Sequence, residues 1–236
     1  IKWTTAGLSF FMYIFQYIWT EIFGKSEIIS RALNIPFFMF GVYYFSKIVE
    51  KSNKNIFYTL LIAINPFSIY YLNDAGPYMM MFGFGAAFAY YVFFSDDFDS
   101  FKNVALINLF FLLSVGTHFI LGFTFVAYAV KAFILLLKKQ TKIKTHLVTF
   151  ICYLPIYLFL FFKYTTGLQD GNTSYNWGHP GIKNLLYSVY GLLGYQGCFL
   201  SRNDLRAFNF SNVTLLMIVL TIALTLAFVL LILFNF

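Results

Sequence analysis

The chain of 236 residues is 60% hydrophobic, 23% aromatic and only 11% charged, with a formal net charge of +7. A soluble domain carries about 25% charged residues, and one soluble core could not hide this much apolar surface, so lipid is the expected solvent for much of the chain. The basic residues fall between apolar runs instead of forming a stripe, which points to charge at a membrane surface and against nucleic acid as a partner.

A membrane-crossing helix needs about 20 mostly apolar residues. Runs of this kind occupy 7–23, 32–49, 55–72, 77–94, 104–121, 119–137, 146–162 and 213–234. They predict an all-α fold, a polytopic integral membrane helical bundle of about seven to eight segments, with residues 1–236 forming one transmembrane domain. The first run is short and interrupted by Gln16 and Glu21, and is expected to lie partly inserted near the surface. The fifth and sixth share the region of His118, so a turn is expected near Gly116–Thr117. Residues 163–212 form the one long polar stretch and are expected to be an outer loop. Within it, 165–181 is rich in Gly, Thr, Asn and Ser, and 182–195 reads as an amphipathic helix on the surface. No secretory signal pattern opens the chain. It starts at Ile1 and ends at Phe236 inside an apolar run, which fits a piece of a longer membrane protein.

Lys and Arg in short loops set orientation. Lys47, Lys51 and Lys54, then Lys102, then Lys138, Lys139, Lys142 and Lys144 lie in alternate connections, which places those turns in the cytoplasm. The connections around 73–77 and 116–118 and the 163–212 stretch then share the extracytoplasmic side. Arg202 and Arg206 on the outer side, and Asp96, Asp97 and Asp99 on the inner side, run against this bias.

Several signatures are absent: there is no phosphate-binding Gly-rich Lys loop, no His-Glu-x-x-His, no Cys-x-x-Cys and no nucleophile elbow. Cys152 and Cys198 make no disulfide framework. His118, His179 and Asp74 could hold a metal only if the fold gathered them, because their spacing carries no ligand pattern. Asn172, Asn209 and Asn212 begin glycosylation-type triplets, a pattern common by chance. Asp74 interrupts apolar sequence at a span end. There it either caps the helix that starts near Pro77 or presents a carboxylate that binds a substrate hydroxyl and acts as a base. Glu27 and Arg31 are four apart and would share a helix face as an ion pair. Trp177 and His179 could stack on a sugar, although Trp also favours the membrane interface with no ligand.

The order of these features resembles the polytopic glycosyltransferases that use polyprenyl-phosphate sugars, the GT-C membrane fold of the protein-mannosyltransferase-like and aminoarabinose-transferase-like group. The matching stretches are Gly24-Lys-Ser-Glu27 through Arg31 to Pro36, then Asn65-Pro66, Tyr70-Tyr71 and Asp74-Ala75-Gly76-Pro77-Tyr78, then Thr117-His118-Phe119 and Leu154-Pro155. The resemblance runs along most of residues 3–200. It implies a transfer from a polyprenyl-phosphate-linked sugar to an acceptor on the outer face of the cell membrane. Asp74 would be the catalytic acid–base group, and Tyr71, Asn73, Tyr78, His118, Glu27 and Arg31 would contact substrate. The leaving phosphate would be stabilised by a basic side chain or a cation, so a divalent cation is the one cofactor this chemistry accommodates. Two positions depart from the pattern. Gly76 stands where the family often has an Arg that suits phosphate, and the family's main catalytic acid, an Asp in the first outer loop, lies upstream of the region matching residue 3, which leaves Asp74 as the acid nominated within this chain. The sugar, lipid and acceptor are unspecified. A transporter of lipid-linked sugars, a polysaccharide polymerase or ligase and a non-catalytic membrane protein are the competing classes; internal repeats or broken spans would favour the first of these, and neither is evident.

Overall fold

Where side chains are apolar on all faces, the backbone has to satisfy its own hydrogen bonds, and helices do this within one segment. The computed structural model describes residues 10–169 apart from Ala75. These fold as α1 (Phe10–Phe23), α2 (Glu27–Ala32), α3 (Asn34–Lys51), α4 (Phe57–Ala63), α5 (Pro66–Leu72), α6 (Tyr78–Ala89), α7 (Phe101–Thr117), α8 (Thr124–Leu137) and α9 (Ile143–Gln169). A π-helical turn, Tyr90–Phe94, prolongs α6, and a 3₁₀ turn, Phe119–Phe123, precedes α8. No strand occurs among the described residues, so this part of the chain is all-helical.

Among the described residues, two helical stretches have the length and apolar composition to cross a membrane, Glu27–Lys51 (25 residues) and Ile143–Phe162 (20 residues). Tyr78–Phe94, Phe101–Thr117 and Leu121–Leu137 are apolar but shorter. The chain divides into two compact units. One holds residues 1–63 and 71–174, the other 64–70 and 175–236. In the second, Ile64–Tyr70 are the described residues, and there the Ile69 N–H donates to the Asn65 carbonyl at 3.1 Å as α5 begins.

Three boundaries differ from the sequence reading. The run 55–72 is two short helices, since α4 ends at Ala63 and Pro66 opens α5, the position where a missing N–H costs nothing. The run 104–121 ends at Thr117, and His118 is extended (φ −158°, ψ 128°) with its N–H on the Ser114 carbonyl. The last described helix continues through Pro155 to Gln169, so the first residues of the expected outer loop are helical. The remainder of that loop, with Trp177, His179, Cys198, Arg202, Arg206, the glycosylation-type triplets and the 182–195 helix, lies outside the described residues, as does the 213–234 run.

The core of the first unit is built on α3, α6 and α7. Leu33, Met80, Phe84, Phe88, Ile107 and Phe110 are buried together. Edge-on ring pairs extend it, with Phe37 5.3 Å from both Phe15 and Phe84, a geometry worth about 0.5–1.5 kcal/mol per pair beyond burial. Close approach of α3 and α6 depends on Gly83, because a Cβ there would meet the Phe37 carbonyl oxygen at 2.8 Å. Helix α1 seats on α7 in the same manner: the Phe11 ring occupies the space a Cβ on Gly116 would take, at 2.1 Å.

Helices α3 and α6 run parallel and are joined at both ends. At their starts, Asn34 bonds to the turn that leads into α6. At their finishes, Lys51 Nζ sits 2.6 and 2.8 Å from the Asp96 carboxylate oxygens. Helices α6 and α7 form a hairpin about Ser95–Ser100, with the Ser100 hydroxyl capping α7 through the Asn103 N–H at 3.2 Å. His118 is thereby returned to the end of the unit where Asp74 lies.

Candidate active site around the Asp74 turn

The turn between α5 and α6 is held by one buried amide. Asn34, 3% exposed, opens α3, and its Nδ2 donates to the carbonyls of Tyr71 (3.2 Å), Leu72 (3.3 Å) and Asp74 (2.5 Å). An amide has two N–H donors, so the three acceptors share them. They include the last carbonyls of α5, which have no intrahelical partner of their own. The Asp74 N–H turns back to the Tyr71 carbonyl at 3.3 Å. Tyr71 is buried, and its ring lies 4.1 Å from that of Tyr78, which opens α6 and is partly exposed.

This geometry decides the capping question. Pro77, not Asp74, occupies the N-cap of α6, and no side-chain cap hydrogen bond is made there. The carboxylate instead lies over Gly76: a Cβ at Gly76 would stand 3.1 Å from Asp74 Oδ2 and 3.0 Å from the Tyr78 ring. Any side chain at 76 would therefore press on both the acid and the tyrosine. A glycine at 76 thus has a steric reason within this turn.

The other expected residues are distributed as follows. Arg31 does pair with Glu27 across one turn of α2, with both side chains exposed. The Ser26 hydroxyl caps that helix by accepting from Ile29 N at 3.3 Å. This surface pair leads through Leu33 into Asn34 and so is joined to the Asp74 turn along the chain. Asn73 is exposed beside Asp74, and His118 is partly buried at the C-terminus of α7. The structure thus brings Tyr71, Asp74 and Tyr78 into one turn and sets Glu27, Arg31 and His118 at the same end of the unit. Among the described residues no three His, Cys, Asp or Glu come together. His179 lies outside the described residues.

An apolar groove of about 430 Å³ opens beside this end, lined by Phe15, Trp19, Ile22, Leu33, Phe37 and Phe84 among others. Trp19 is oriented in it by an Nε1–H bond to the Ile29 carbonyl at 2.8 Å. Its wall includes Leu33, the residue next to the amide that holds the acid.

Sequence reasoning missed two features. Asn34 carried no signal, since its partners lie 37–40 residues away. The second is a polar cluster at the opposite, Lys-rich end. Buried His146 has Nδ1 2.7 Å from the Tyr128 hydroxyl and Nε2 2.9 Å from Asp99 Oδ1. Asp99 also accepts from Thr141 Oγ1 and, through Oδ2, from the Lys142 N–H at 2.8 Å. Burial pushes the Asp99 carboxyl up. Hydrogen bonds from Thr141, His146 and the Lys142 backbone, with the His146 charge, outweigh it and hold the group below its ordinary value of 3.8. The acids that contradicted the charge bias are accounted for: Asp96 pairs with Lys51, Asp97 accepts from the Ser100 N–H, and Asp99 secures the α8–α9 turn. A comparison with protein-family models, curated proteins and solved structures finds no match to this chain.

Proposed function

We propose that the chain is a polytopic membrane glycosyltransferase that moves a sugar from a polyprenyl-phosphate donor to an acceptor hydroxyl on the extracytoplasmic face. The observation that carries this reading is the juxtaposition of a rigidly held acidic turn with an apolar groove that begins one residue from its anchor. A polyprenyl chain is an apolar ligand with its reactive group at one end, and such a ligand needs that arrangement. In the reaction, the acceptor oxygen attacks the anomeric carbon, the bond from that carbon to the phosphate oxygen breaks, polyprenyl phosphate leaves, and Asp74 takes the hydroxyl proton. Arg31, exposed, paired with Glu27 and two residues before Leu33 of the groove wall, is the basic side chain this reading assigns to the departing phosphate.

The membrane setting is supported by where the apolar surface goes. The two span-length helices bury only 22% and 17% of their most apolar windows inside the chain, unlike the core helices of a water-soluble fold. Ile35, Met39, Leu147, Val148, Ile151 and Phe159 all stand exposed on them. Outward apolar faces on this scale fit lipid.

The test is transfer from a radiolabelled polyprenyl-phosphate hexose in membranes containing the intact protein. Asp74→Asn should slow release of polyprenyl phosphate by about 10²–10⁴-fold, the usual range for a lost acid–base group. An unchanged rate in that variant, with normal insertion, overturns the assignment of Asp74.

A further inference from the structure

The Lys-rich end carries a second groove, of about 450 Å³, lined by Phe93, Ala127, Val130, Lys131, Ile134 and Leu135. All but one of these residues are apolar, and Phe93, Val130 and Ile134 are exposed. Lys131 sits in the middle of α8, where a charge is costly unless it is used. Its ammonium donates to the Val92 carbonyl at 2.6 Å and lies 4.8 Å from the Phe98 ring centre and 5.9 Å from that of Phe93. The Val92 bond satisfies an orphan carbonyl where α6 runs out in its π-helical turn. An ammonium has three N–H donors, however, and ring faces attract a cation without accepting its protons as a carbonyl does.

The groove has a direction. Residues 127, 131, 134 and 138 recur at helical spacing on one face of α8, so the exposed Lys138 continues the line of Lys131 and Ile134 past the helix end. An apolar trough that runs to Ile134, one turn short of an exposed cation, matches a molecule with a hydrocarbon chain and an anionic head. We infer that this groove binds one anionic phospholipid of the cytoplasmic leaflet, its acyl chain along Ala127, Val130, Ile134 and Phe93 and its phosphate at Lys138, where α8 ends. The charge bias of the neighbouring turns, with Lys51, Lys139 and Lys142 on the same side, favours an acidic lipid over a zwitterionic one. The site lies at the end of the molecule opposite Asp74. It rests on the membrane reading but not on the transferase reading.

The experiment is native mass spectrometry of the intact protein in neutral detergent, equilibrated with equimolar phosphatidylglycerol and phosphatidylcholine of matched acyl chains. Phosphatidylglycerol adducts should predominate. Lys138→Gln, an exposed change that leaves the fold alone, should lower that preference about fivefold, the effect of one basic side chain near lipid phosphate. Ala127→Trp should lower both adducts by filling the groove, and inorganic phosphate should not compete. Equal adducts for the two lipids, an unaltered preference in both variants, or displacement by inorganic phosphate alone would overturn the site. Alkaline carbonate extraction separates the two failures. A chain that resists extraction yet shows no lipid preference loses only this site, whereas an extractable chain loses the membrane reading and the site with it.

Discussion

His146 holds Asp99 at 2.9 Å through Nε2 while its Nδ1 meets the Tyr128 hydroxyl at 2.7 Å. With Asp99 ionised, Nε2 donates to the carboxylate, and Nδ1 shares a second hydrogen bond with the Tyr128 hydroxyl. One imidazole thereby joins the α6–α7 connection, α8 and α9.

Breaking that link should cost stability more than removal of a surface pair. His146→Ala leaves a buried hydroxyl and a partly buried carboxylate short of a partner, at about 1–3 kcal/mol. Asp99→Asn and His146→Ala should be non-additive by at least about 0.5 kcal/mol in a double-mutant cycle, read from thermal unfolding in detergent. Asp96→Asn, which removes only the exposed pair with Lys51, should change stability by no more than about 1 kcal/mol. Equal losses at 96 and 99 would contradict this account.

The lowered Asp99 value has a defined consequence in acid. A carboxyl whose folded value lies below its unfolded value contributes stability that is fully present above the unfolded value and is lost as pH falls through the folded one. The loss therefore falls below the ordinary 3.8. Melting temperature followed from pH 6 downward should show an acid-induced drop below about 3.9, part of which disappears in Asp99→Asn.

Two glycines in α6 should respond in opposite directions to alanine. Gly83→Ala forces a methyl against the Phe37 carbonyl oxygen at 2.8 Å and should destabilise by about 1–3 kcal/mol. Gly85 has nothing within 4 Å of an added Cβ, so Gly85→Ala should be neutral or stabilising by up to about 1 kcal/mol from helix propensity.

Orientation can be read by labelling. With Cys152 and Cys198 replaced by Ser, Asn73→Cys and Lys139→Cys should react with an impermeant maleimide from opposite faces of sealed vesicles. Labelling from one face by both would overturn the topology on which the outer placement of Asp74 depends.

Asn34→Ala should loosen the acidic turn without touching the acid. The Tyr71, Leu72 and Asp74 carbonyls would lose the Asn34 amide, with the Asp74 N–H still on Tyr71, at about 1–3 kcal/mol, and the transfer rate should fall with it. Asp74→Asn should lower the rate while leaving melting close to wild type.

Much of the helical fold was legible because apolar run length tracks helix length. The runs 32–49 and 77–94 correspond to α3 at 34–51 and to α6 with its π-helical turn at 78–94. The break inside 55–72 was not legible, since hydropathy does not record that Pro66 starts a helix as easily as it interrupts one. The candidate site was half legible. Asp74 stood out as a charge amid apolar sequence, but Asn34 left no local trace. His146 and Lys131 were missed for the same reason: their partners are 18–47 and 39 residues away. Asp96, Asp97 and Asp99 looked like defects in a charge pattern, because a count of loop charges does not show which of them are paired.

The double fastening of α3 to α6 limits how the molecule can move. Sliding α6 along α3 by one turn, about 5.4 Å, would part Asn34 from the Asp74 turn, part Lys51 from Asp96 and drive Gly83 off the one spot where the backbones fit. The two helices therefore act as a fixed strut. Helix α1, by contrast, buries none of its residues fully and is held by Phe11 against Gly116, by the Phe15 ring against Phe37 and Phe84, and by the Trp19 bond to Ile29. Of the walls around the groove beside Asp74, it is the one able to yield, so a bulky apolar ligand would enter by displacing α1 rather than by parting the strut.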